Sequence, residues 1–119
     1  PDETGIDIYI GIGGAPEGVL AAAALRCIGG QMQGRLQLNT DEKIARAAKM
    51  GIADPKKVYS LEEMAKGDVL FAATGVTDGN MLSGVKFARD YIQTHTIVMR
   101  SSSQTVREIK ARHQDLSKF

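Results

Sequence analysis

The chain has 119 residues, 43% of them hydrophobic and 24% charged, with 15 basic side chains against 14 acidic ones and a net charge of +1. That is enough apolar material for one globular domain, and the interleaving of the charges argues against a nucleic-acid surface, which concentrates positive charge on one face. No apolar run approaches the roughly 18 residues that span a bilayer, and the single cysteine, Cys27, cannot form an internal disulfide and suits a reducing cytoplasm.

The first apolar run, Ile6-Asp7-Ile8-Tyr9-Ile10-Gly11-Ile12, alternates β-branched residues with others and predicts a strand. It enters Gly13-Gly14-Ala15-Pro16-Glu17-Gly18 and then an Ala- and Leu-rich helical segment over 19–28. Pro16 suits the first helical position, where its missing N–H costs nothing, and Gly29-Gly30 supplies the stop. This helix is apolar almost all round, so it is expected to be buried. Residues 31–38 predict a half-exposed strand, with Met32, Leu36 and Leu38 on one face and Gly34 interrupting it. Asn39 and Thr40 can cap a helix over 41–50, whose Ile44, Ala45, Ala48 and Met50 should point mostly inward, and Gly51 ends it. Asp54-Pro55 marks a turn, and Ser60 with Glu63 forms a capping box for a short helix that stops at Gly67.

Val69-Leu70-Phe71-Ala72-Ala73 is a continuous apolar run, the pattern of a central strand buried on both faces. It runs into a polar glycine loop containing Thr77-Asp78-Gly79. Two further strands are predicted over 85–89 and 94–100, and Ser101-Ser102-Ser103 precedes a helix from about Thr105 to Arg112. Together these elements predict an α/β fold, a mixed sheet of about five strands with flanking helices, in one domain over 1–119.

The segment 11–18 carries the chemistry. A strand that enters glycines and then a helix aims backbone N–H groups and the positive end of the helix dipole at whatever lies beyond, an arrangement that favours phosphate. It is not a dinucleotide fingerprint, because the third glycine position falls on Pro16, and no Lys-Ser or Lys-Thr closes it as a Walker loop. Glu17 in the first helical turn has two readings. It can simply complement the dipole, or it can bind a divalent cation that bridges it to a phosphate, two neighbouring anions otherwise repelling each other. One carboxylate does not hold such an ion alone, so further acids are expected outside this chain. Cys27, His95 and His113 read as structural or surface residues; Asp78 reads either as turn chemistry or, in a loop that follows a buried strand, as a residue near substrate.

Gly11-Ile12-Gly13-Gly14-Ala15-Pro16-Glu17-Gly18-Val19-Leu20-Ala21-Ala22-Ala23-Ala24-Leu25 strongly resembles the C-terminal signature of class II fructose-1,6-bisphosphatases. Gly29-Gly30, Gln33-Gly34-Arg35-Leu36 and Ala73-Thr74-Gly75-Val76-Thr77-Asp78-Gly79 continue the match. The resemblance implies the C-terminal α/β domain of the sugar-phosphatase fold and hydrolysis of D-fructose 1,6-bisphosphate to fructose 6-phosphate and phosphate in gluconeogenesis. It also implies Mn²⁺ or Mg²⁺ as cofactor, Glu17 as a metal ligand, and Gly14 with Gly13 as backbone contacts to substrate. The family's other metal-binding acids belong to an N-terminal domain. The chain opens on Pro1-Asp2-Glu3-Thr4 with no initiator Met, so that domain is expected upstream in the same polypeptide, and this segment alone is expected to be inactive. A cytoplasmic homodimer, without nucleic acid or membrane, completes the expectation. The competing readings are a nucleotide-binding or regulatory domain that uses the glycine turn without catalysis, and a dimerisation module.

Overall fold

The structure, a computed structural model, describes residues 5–115 and 117. Three helices and six strands follow one another as α1 (Ala15–Cys27), β1 (Gln33–Arg35), α2 (Asp41–Lys49), β2 (Val58–Ser60), α3 (Leu61–Met64), β3 (Leu70–Thr74), β4 (Lys86–Phe87), β5 (Ile92–Arg100) and β6 (Thr105–His113). The expected α/β combination of a multi-stranded sheet with flanking helices is present. The strands divide into a β1–β2 ribbon and a four-stranded sheet, in which β5 carries β3 and β4 along one edge and β6 along the other. Every ladder among the described residues is antiparallel. No described helix is long and apolar enough to cross a membrane.

The three helices form where local chemistry specifies them. Pro16 lies in the first turn of α1, and Gly29 at φ +73° lets the chain leave it. The Thr40 hydroxyl accepts the Lys43 N–H at 3.3 Å to cap α2, and Gly51 at φ +89° follows it. At α3 the capping box is complete: Ser60 Oγ accepts the Glu63 N–H at 3.3 Å, and Glu63 Oε2 accepts the Ser60 N–H at 2.9 Å. Lys57, 2.7 Å from the same carboxylate, holds Glu63 below the ordinary glutamate range, with the Ser60 N–H adding to the effect. That contribution is present at neutral pH and is lost as acid protonates Glu63. Ser60→Ala removes one half of the box and is expected to cost about 1 kcal/mol in denaturant unfolding.

Several expectations are corrected. Residues 6–12 do not form a strand; Ile8, Tyr9, Ile10 and Ile12 are 76–87% exposed, and no ladder of the described sheets reaches them. The segment after the serines is not a helix but β6, paired with β5 over nine residues from Arg100↔Thr105 to Ile92↔His113. A turn over 101–104 reverses the chain, with Gln104 at φ +46°, and the β-branched Thr105, Val106 and Ile109 suit the extended partner that the edge of β5 demands. The strand β3 is not buried on both faces: it pairs with β5 alone, with Leu70 68% exposed while Phe71 and Ala73 pack inward. In α2 the inward residue is Ala47, and Ile44 and Met50 are exposed.

The helix α1 covers one face of the sheet. Cys27 and Ala24 pack against Ile97, Met99, Leu82, Phe71, Ala73 and Val69, while Ala22 and Ala23 meet Leu61 and Ala65 at α3. Its burial is one-sided rather than all round, because Val19 and Leu20 are 47% and 58% exposed. Over 31–38 the expected alternation holds, with Met32, Leu36 and Leu38 partly buried, although only Gln33–Arg35 pairs as a strand.

The loop over 75–85 is packed backbone against backbone. A Cβ at Gly84 would meet the carbonyl carbon of Thr77 at 2.7 Å and the Asp78 nitrogen at 2.8 Å, neither of which can swing aside. Gly84→Ala is therefore expected to destabilise the fold by about 1–3 kcal/mol, read as a lower denaturation midpoint.

Candidate functional site

Gly11 to Gly14 approach α1 as exposed chain without regular structure. Gly14 is the N-cap, with φ −68° and ψ 151°, and its carbonyl accepts the Gly18 N–H at 3.0 Å, the first turn of the helix. No side chain caps this end. The free N–H groups of the first turn and the positive end of the dipole thus face outward. Nothing lies within 4 Å of where a Gly13 side chain would start, so a ligand can approach that backbone closely.

Glu17 is the third residue of α1 and is exposed. Its carboxylate folds back over Gly14, so that a Cβ at Gly14 would collide with Oε2. Glu17 takes no part in an ion pair among the described residues. Glycine at position 14 is what allows the carboxylate to lie against the turn, and this brings a negative group and outward amides to one spot. At the other end of α1, Arg26 donates to the Gly67 carbonyl at 3.1 Å and the Cys27 thiol to the Val69 carbonyl at 3.6 Å. A 13-residue helix holds its first turn about 20 Å from those anchors.

Could these residues hold a divalent ion? Mn²⁺ and Mg²⁺ take oxygen ligands in roughly octahedral sets, and Glu17 offers two oxygens with no ion-pair partner among the described residues. Among the described residues no group of three or more His, Cys, Asp or Glu side chains gathers at one place. Glu17 fits as one ligand of an ion; it is not by itself a site.

Asp78 accepts the Gly84 N–H at 2.9 Å within its own loop, as turn chemistry requires. Cys27 is fully buried within the core cluster, as a structural thiol would be. His113 Nε2 lies 3.1 Å from Thr94 Oγ1 across the β5–β6 ladder. The residue that sequence reasoning undervalued is His95, which is buried and bonded to the Ser83 backbone. A histidine between threonines in a strand gives no signal of that partner, twelve residues away.

Sheet, covering helix and glycine turn define an α/β unit with an exposed helix N-terminus beside one exposed carboxylate. The chain belongs to the family described as bacterial fructose-1,6-bisphosphatase, glpX-encoded, whose sequence model matches residues 1–113. It is 46% identical over 123 residues to the D-fructose 1,6-bisphosphatase class 2/sedoheptulose 1,7-bisphosphatase of Synechococcus sp. (strain JA-3-3Ab), covering 92% of this chain and 35% of that protein. It is 43% identical over 118 residues to the protein of the same name in Parasynechococcus marenigrum (strain WH8102), covering 87% and 35%. The chain thus spans about a third of the length of the curated relatives it matches.

Proposed function

We propose that the complete polypeptide is a metal-dependent phosphatase that hydrolyses D-fructose 1,6-bisphosphate to fructose 6-phosphate and phosphate, a reaction of gluconeogenesis. The observation that carries the reading is the Glu17 carboxylate folded onto Gly14 at an uncapped helix N-terminus. Gly13 and Gly14 offer backbone amides to a phosphate oxygen of the sugar, and Glu17 holds one divalent ion, Mn²⁺ or Mg²⁺. Bound there, the ion would supply charge neutralisation on the phosphoryl group and a more acidic water. The contribution of this chain is to orient: fixed amides and a fixed carboxylate reduce the entropy lost in aligning substrate. The names of the relatives add sedoheptulose 1,7-bisphosphate, so the proposed substrate class is a ketose bisphosphate.

In this reading the segment is the C-terminal α/β domain, and the remaining acids come from an N-terminal domain of the same polypeptide. The segment alone is inactive, and the enzyme works in the cytoplasm as a homodimer. The test is phosphate release by the full-length polypeptide from both bisphosphates, with Mn²⁺ or Mg²⁺ and again after chelation. Release that stops with chelator and returns with metal supports the proposal; release indifferent to chelator, or none with either metal, overturns it.

A further inference from the structure

His95, at the middle of β5, is 7% exposed and is the buried polar side chain of the core among the described residues. Its Nδ1 lies 3.0 Å from the Ser83 backbone nitrogen. A backbone N–H only donates, so Nδ1 must carry a lone pair, and the proton of the neutral ring sits on Nε2. That Nε2 is buried without a hydrogen-bond partner among the described residues. Glu108 Oε2 stands 3.8 Å away, beyond hydrogen-bond range.

Ser83 belongs to the 75–85 loop, which carries Thr77-Asp78-Gly79. The loop is fastened by Gly75 N–H to the His95 carbonyl at 3.0 Å, Val85 N–H to Val76 at 3.1 Å, Gly79 N–H to Leu82 at 2.9 Å and Gly84 N–H to the Asp78 carboxylate. Its core anchor, Leu82, is 8% exposed and precedes Ser83 directly. Of these fastenings, the Ser83–His95 bond alone rests on an imidazole lone pair. Imidazoles ordinarily change charge between about pH 5 and 8. A second ring proton would occupy Nδ1 and set two donors against each other at 3.0 Å.

We propose that His95 is a proton-operated latch: the neutral ring holds Ser83 and with it the 75–85 loop against the sheet, and the protonated ring releases them. The charged groups that the ladders place on the same face are Glu108, Lys110 and Arg112 from β6 and Lys86 from β4; Asp78 of the loop accepts the Gly84 N–H beside Ser83, and Cys27 is the titratable group that α1 brings to the cluster around Ile97. His95 is a positioning residue, and its role does not depend on Glu17 holding a metal.

The test is a titration of ¹⁵N-labelled protein from pH 8 to pH 5. It follows the His95 ring nitrogens together with the hydrogen-exchange protection of the Ser83, Gly84 and Val85 amides, corrected for intrinsic rates. As the ring gains its proton, Ser83 protection should fall by about tenfold or more, as loss of one hydrogen bond implies, while the Ile97 amide in β5 keeps its protection. His95→Asn, which can offer an oxygen in place of Nδ1 but cannot titrate, should keep Ser83 protected across the range. His95→Leu should leave it weakly protected throughout. Ser83 protection that is unchanged while the ring titrates overturns the latch. So does a ring that stays neutral to pH 5, or an equal acid loss in His95→Asn.

Discussion

Glu17→Gln in the full-length polypeptide is expected to lower phosphate release from fructose 1,6-bisphosphate by about a hundredfold or more, and to raise the metal concentration needed for half-maximal rate. Glutamine keeps the shape and one acceptor oxygen but loses the charge, which is the property a hard divalent ion selects. Replacing groups that merely orient a metal ligand costs about 10–100-fold, so losing a ligand's charge should reach at least the upper end. The fold should hardly notice. Glu17 is exposed, and its favourable contact with the helix dipole is worth about 0.3–1 kcal/mol. Near-normal turnover in a variant with unchanged circular dichroism would remove Glu17 from the metal site.

The largest effect on stability should come from Ile97→Ala. Ile97 is 6% exposed at the centre of the cluster formed with Cys27, Leu82 and Met99, and lies opposite Ala73 of β3 and Glu108 of β6. Removing its buried carbons forfeits their transfer energy and leaves a cavity that the ladders on both sides of β5 prevent from closing. A cost of about 2–5 kcal/mol follows. Leu70→Ala, at a residue 68% exposed on the neighbouring strand, should change stability by less than about 0.5 kcal/mol. Urea unfolding of the two variants side by side distinguishes the covered face of the sheet from the open one. Equal losses would mean that α1 does not cover the face assigned to it.

The features that were legible in the sequence are those whose cause lies within a few residues. The Ser60–Glu63 box, the Thr40 cap and the glycine exits of α1 and α2 each involve partners no more than a turn apart, and all form as read. Of the glycine turn only the helical half forms as read, with Pro16 in the first turn of α1, because no described strand leads into it. The turn formed by Asp54 is equally local, with Lys56 N–H on its carboxylate at 2.8 Å.

What was misread depends on distant partners. Residues 105–113 carry enough Arg, Glu, Lys and Ala to suit a helix, yet the open edge of β5 offers nine residues of ladder, and that pairing outweighs propensity differences of a few tenths of a kcal/mol per residue. Residues 6–12 carry strand propensity, but a strand exists only beside another, and none of the described strands lies there. The apolar run of β3 signals burial without saying how many faces are covered; α1 covers one.

Local order therefore determined the three helices, the caps of α2 and α3 and the glycine exits, each independent of any long-range contact. The sheet order, the face that α1 covers and the bond between His95 and Ser83 were decided by tertiary packing. The physical reason is that a cap or a tight turn closes its hydrogen bonds within one stretch of chain, whereas a ladder or a buried imidazole finds its partner only after the chain has returned on itself.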